Sequence, residues 1–88
     1  MNQQLQLRSE GLEWREIEGE IVALDRRSSR YLAVNRTGTA LWPALREGAT
    51  REELIGRLVS AYDVDEQTAG RDLDVFLAAL RERDLLEP

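Results

Sequence analysis

Residues 30–42 read RYLAVNRTGTALW, and within this stretch the chain changes from strand-like to helical patterning. Tyr31, Leu32 and Val34 favour a pleated surface, because branched and aromatic side chains pack well on it. Leu41 and Leu45 then fall at i and i+4. Asn35 stands just ahead of them as a helix cap, its side-chain oxygen suited to accept the free N–H groups of a first turn. No linker separates the two elements. Such a joint fixes the angle between them, so anything lying along the strand also lies close to the helical body.

Upstream, residues 12–17 (LEWREI) alternate in part, with Leu12 and Trp14 on one face, and Glu18-Gly19 supplies hairpin turn residues. Residues 20–26 (EIVALDR) return as the second strand. Their run Ile21, Val22, Ala23, Leu24 implies cover on both faces, or one face buried and one lightly shielded. Arg27-Ser28-Ser29 makes the next turn, into the strand that begins at Arg30. Three short strands joined by short turns form a meander, which leaves the third at an edge. An unpaired edge offers a row of free N–H and C=O groups to a second polypeptide. Residues 1–11 are polar apart from Leu5 and Leu7 and are expected to form a flexible tail, with the domain proper over residues 12–88.

Downstream, the first helix is expected over residues 36–46. Gly38 and Pro43 are poor interior residues and predict a bend or a short helix, and Gly48 ends it. Thr50 and Glu53 form a capping box. Leu54, Ile55, Leu58, Val59 and Tyr62 follow at helical spacing. Asp65 caps a third helix over residues 66–83, with Ala69, Leu73, Phe76, Leu77 and Leu80 as its core stripe. Asp72, Val75, Phe76, Ala79 and Arg83 run along one flank of that stripe, half facing in and half out, where they can line a groove. Leu85 and Leu86 are expected to fold back over the base of the core. The fold class is therefore α+β, a three-stranded antiparallel meander followed by three α-helices, in one domain.

Composition narrows the chemistry. The 88 residues include no cysteine and no histidine, which removes disulfides, thiolate nucleophiles, imidazole bases and the common zinc sites. All 12 basic residues are arginine, so no lysine is present for a Schiff base. The 17 acidic residues are scattered along predicted helix faces, as on a solvated surface. We expect no catalytic residue, no metal and no cofactor. The net charge of −5 opposes binding to phosphates, so nucleic acid is not an expected partner. No apolar run approaches the ~20 residues of a membrane span, and the N-terminus lacks the features of a secretory signal. The expected location is cytoplasmic.

The ordered combination of WREIEGEIVALD, RYLAVNRTGTALW, TREELIGRLVSAYDVD and AGRDLDVFLAALRERDLL resembles the PqqD-like family, the precursor peptide recognition elements of ribosomally synthesised and post-translationally modified peptides (RiPPs). The likeness covers residues 12–86. Within the family it is most similar to the stand-alone leader-binding members of lasso peptide biosynthesis. The resemblance implies a winged helix-turn-helix-like domain that binds the leader of a precursor peptide and delivers it to a transglutaminase-like cysteine protease, after which a macrolactam cyclase acts on the released core. It further implies that the leader joins the third strand as an antiparallel strand beside the last helix. Carried over by position, Arg30, Tyr31, Leu32, Ala33 and Val34 form the hydrogen-bonding edge, and Asp72, Val75, Phe76, Ala79 and Arg83 form the opposite wall. Phe76 and Tyr31 are then expected as apolar pocket walls, and Asp72 and Arg83 as polar contacts. The family often has glycine where Asp84 stands, so Asp84 is expected to adopt a left-handed conformation.

Two other readings compete. A recognition element of another RiPP pathway, with a radical SAM partner for example, has the same pattern. A winged-helix DNA-binding protein would use Tyr31, Trp42 or Trp14 to stack on bases, but the acidic third helix argues against it, and an aromatic beside a core helix is more often packing.

Overall fold

A computed structural model of the chain describes residues 4–87. Along them lie β1 (Gln4–Leu5), β2 (Leu12–Ile17), β3 (Glu20–Asp25), β4 (Arg30–Val34), α1 (Arg36–Glu47), β5 (Ala49–Thr50), α2 (Arg51–Tyr62) and α3 (Glu66–Glu82). Strands β2, β3 and β4 form an antiparallel sheet in that order, and β1 pairs with β5 in a second, two-stranded sheet. The architecture is α+β and winged helix-turn-helix-like.

Local chemistry accounts for the joints. Glu18 and Gly19 both have positive φ, 51° and 81°, which matches the right-handed twist of the hairpin they close. At the next turn the Asp25 carboxylate accepts from the Arg27 N–H and the Ser28 hydroxyl, both at 3.1 Å, so the bend is held before β4 begins. Asn35 caps α1 by accepting from Gly38 N at 2.8 Å. The Thr50–Glu53 box caps α2, and Asp65 caps α3 by accepting from Thr68 N. Asp84 is left-handed at φ 56°, where an aspartate is tolerated better than most residues.

The core lies between the inner face of the sheet and the three helices. Ile21, Ala23 and Val34 meet Leu41, Leu45, Leu54, Leu58, Leu73, Leu77 and Leu80 there, all buried. Trp42 is fully buried and packs edge-on against Trp14, with ring centroids 6.3 Å apart. It is a core residue and offers no surface to a base. Leu85 is buried and Leu86 partly so, closing the base of the core.

Helix α1 runs 12 residues through Pro43 to Glu47, one residue past the expected end. Pro43 is exposed, so its ring meets solvent and not core. The segment before β2 is attached where a flexible tail was expected, though residues 1–3 lie outside the described part. Leu7 is buried and its N–H donates to Leu45 O at 2.8 Å, the Arg8 N–H donates to Leu85 O at 2.7 Å, and the Glu87 N–H donates to Gln6 O at 2.8 Å. The physical reason is that QLQL at positions 4–7 is itself a period-2 strand pattern, and Leu7 forms an antiparallel bridge with Leu86.

Candidate functional site

The direction of every backbone group on β4 follows from the first hairpin. Its two-residue turn makes Ile17 and Glu20 a hydrogen-bonded pair, so in the observed register Arg15 bonds to Val22 and Glu13 to Leu24. The alternate β3 residues Ile21, Ala23 and Asp25 therefore turn their amides toward β4, where they meet Val34, Leu32 and Arg30. That leaves Tyr31 and Ala33 with N–H and C=O aimed outward. Among the described residues nothing pairs with them, and β4 is an edge strand.

Side chains obey the same alternation. Ile21 and Ala23 are buried, so their partners Val34 and Leu32, together with Arg30, face the helices. Tyr31 and Ala33 lie opposite Leu24 and Val22 on the outer face of the sheet.

Helix α3 supplies the second wall. Asp72, Val75, Ala79 and Arg83 are exposed along one flank, and Val75 keeps 72% of its surface accessible, unusual for a large apolar residue. Phe76 lies beneath them, only 6% exposed, packed against the start of α1. A Cβ built on Gly38 would sit 2.5 Å from Val34 Cγ1 and on the Phe76 ring, so the glycine is what lets β4, α1 and α3 close together here. Phe76 is thus the floor between strand and helix, with almost no wall area of its own.

The α3 flank borders a cleft at each end, near Arg83 and near Asp72. At one end a cleft of about 420 Å³ is lined by Arg30 and Leu32 from β4, Glu82 and Arg83 from α3, and Leu12 and Leu85 beneath them. Behind it, Arg8 Nη2 donates to Asp25 Oδ1 at 2.6 Å, Arg8 Nη1 to Asp84 O at 2.6 Å and Arg8 Nε to Glu10 O at 2.9 Å. One guanidinium thereby ties the end of β3, the end of α3 and the N-terminal segment together. Desolvation pushes the Asp25 carboxyl up, but the Arg27 N–H, the Arg8 guanidinium and the Ser28 hydroxyl outweigh it and hold it below the ordinary carboxylate value. At the other end a cleft of about 580 Å³ holds Asp72, Asp63 and Thr37 around Tyr62. There the Arg36 guanidinium sits 4.7 Å from the Tyr62 ring centroid, and the Tyr62 hydroxyl donates to Arg36 O.

The structure thus brings Arg30, Leu32 and Arg83 into one cleft, and the α3 flank carries Asp72, Val75 and Ala79 beside it. Val34 and Phe76 lie in the core under the groove. Tyr31 is the exception: its ring is on the opposite face of the sheet from α3, so the expectation of a pocket wall is corrected to a main-chain contribution. Sequence reasoning missed Asp25, Ser28, Leu12 and Leu85 as neighbours of the site. Asp25 and Ser28 were signalled by a side chain able to cap its own turn three residues on.

The three-stranded sheet followed by three helices matches the fold of the PqqD-like RiPP recognition elements. The chain belongs to the PqqD family: the family described as Coenzyme PQQ synthesis protein D (PqqD) matches residues 20–86. Among solved structures, the chain is similar to "TbiB1 in Complex with the TbiA(beta) Leader Peptide", at 33% identity over 93% of this chain and 94% of that one, with a TM-score of 0.83. It is also similar to "Lasso peptide synthetase B1 complexed with the leader peptide", at 26% identity over 96% and 98% of the two chains, with a TM-score of 0.81. No curated protein matches it.

Proposed function

We propose that this protein binds the leader region of a ribosomally made precursor peptide, of the lasso class, as an antiparallel strand added to β4 in the groove beside α3. It then presents that leader to a transglutaminase-like cysteine protease, and a macrolactam cyclase acts on the released core. The observation that carries the reading is the outward-facing N–H and C=O pair at Tyr31 and at Ala33, next to an α3 flank that leaves Val75 exposed. Main-chain bonds to an added strand give affinity, and the contacts its alternate side chains make with Arg30, Leu32 and the helix flank give sequence choice. Both similar structures are complexes with leader peptides, which supports the same role here. The role is recognition, with the bond-breaking chemistry left to the partner enzyme.

The outer face of the sheet suits that enzyme. Ile17 and Tyr31 keep 50% and 71% of their surface exposed there, beside Val22 and Leu24, and the groove does not use them. Exposed apolar side chains set beside Glu13 and Arg15 suit a protein contact.

Calorimetry with a synthetic leader, taken from a short precursor gene beside this one, tests the proposal. Saturable binding at one peptide per protein is expected. No heat with that leader would remove the proposal, and retardation of duplex DNA at physiological salt would favour its rival.

A further inference from the structure

Two guanidinium groups at one end of the groove have no ionic partner among the described residues. Arg30 from the strand and Arg83 from the helix line one cleft from its two walls. Neither is in an ion pair among the described residues, whereas Arg8, Arg26, Arg27 and Arg51 each are. Asp25, in the same cleft, is already engaged by Arg8, the Arg27 N–H and the Ser28 hydroxyl. Glu82 offsets one of the two free guanidinium groups, leaving local positive charge on a chain whose net charge is −5. Leu12, Leu32 and Leu85 line the rest, and an apolar, partly enclosed setting strengthens charge recognition relative to open water. At the opposite end stand Asp72 and Asp63, with Arg36 drawn over the Tyr62 ring.

We infer that the leader carries an Asp or Glu side chain where its strand passes Arg30 and Arg83, and that this contact sets its register and direction. The inference rests on the docking of the leader along β4 proposed above. Planar guanidinium forks receive a carboxylate through paired N–H donors, so two of them converging from opposite walls specify a position as well as a charge. In antiparallel pairing the Arg30 end of β4 lies against the C-terminal half of the guest strand. The same carboxylate in the N-terminal half would meet Asp72 and Asp63 with only Arg36 to offset them, a less favourable setting.

The probe is a fluorescein-labelled peptide of the leader encoded by the adjacent precursor gene, titrated by fluorescence anisotropy, with each of its Asp and Glu residues replaced in turn by Asn or Gln. One replacement, in the C-terminal half of the bound segment, is expected to weaken binding by about tenfold or more. The double variant Arg30→Gln with Arg83→Gln is expected to weaken the natural leader to the same extent, to leave that neutral leader unaffected and to keep the wild-type melting temperature. Arg83→Glu should regain affinity for a leader carrying Arg at the sensitive position. Unchanged binding by a folded double variant would overturn the inference, as would a sensitive carboxylate in the N-terminal half. Ala33→Pro distinguishes this failure from failure of the docking itself, since it removes binding wherever the leader uses the β4 edge, whatever charge the peptide carries.

Discussion

Gly38 looks like a flaw in a helix, yet two side chains from two other elements occupy the space its Cβ would need. Alanine there would gain about 1 kcal/mol of helix propensity. Against this stands overpacking of Val34 and Phe76, which costs typically 1 to 3 kcal/mol. Gly38→Ala is therefore expected to lower stability in urea denaturation, and Phe76→Leu in the same chain should recover part of the loss. Arg8 and Asp25 make a second residue-scale case. The Asp25, Glu53 and Asp65 carboxyls are all held below their ordinary values, in the last two chiefly by backbone N–H groups at Thr50 and Thr68. The folded chain thus binds fewer protons than the unfolded one as pH falls through the ordinary carboxylate range of about 4. Their stabilisation is full above about pH 5 and is lost as pH drops through the depressed values. Melting temperatures are expected to fall steadily below that point, and Asp25→Asn should start lower at neutral pH and decline less steeply. The caps at Asn35, Thr50 and Asp65 were legible because each acts within three residues. The Arg8–Asp25 pair spans 17 positions and was not. Nor does any local pattern reveal that Gly38 faces Phe76.

At the scale of elements, the edge of β4 is defined by the turn before β3 as much as by its own residues. Proline at position 33 deletes an outward N–H and is expected to abolish or greatly weaken leader binding while the domain stays folded. Proline at Leu32 instead breaks the ladder to β3 and should destabilise the fold. The other edge of the sheet is β2, where the same alternation turns Glu16 outward, so Glu16→Pro should leave leader affinity unchanged in calorimetry. The β2–β3–β4 meander, the strand-to-helix joint and all three helices could be read from periodicity and caps. The phase of β4 was readable in part, since Leu32 and Val34 are the more apolar set, but the aromatic character of Tyr31 drew it to the wrong face. The β1–β5 sheet escaped because each strand has two residues. Leu7→Ala, which removes a side chain 3% exposed, is expected to cost about 2 to 5 kcal/mol in denaturation, a loss that a loose tail would not show.

For the molecule as a whole, the sheet separates two jobs. In the proposed function its edge and inner side, with α3, hold the guest, and its outer face stays free for an enzyme. Tyr31→Ser combined with Ile17→Ser is expected to leave leader affinity within about twofold, because both side chains point away from the groove. Cleavage by the partner protease in a reconstituted assay should nevertheless lose its dependence on this protein. The absence of histidine, cysteine and lysine was plain from composition. The division between two surfaces was not, because it depends on which set of alternate residues each strand turns inward. Amide hydrogen exchange, followed residue by residue by NMR with and without leader, tests the added strand most directly. In the free protein the Leu32 and Val34 amides, bonded to β3, are expected to exchange slowly and those of Tyr31 and Ala33 fast. With leader bound, Tyr31 and Ala33 should slow by on the order of tenfold or more. Protection appearing at Leu12, Trp14 and Glu16 instead, or binding that leaves Tyr31 and Ala33 exchanging as before, would contradict a guest strand on β4.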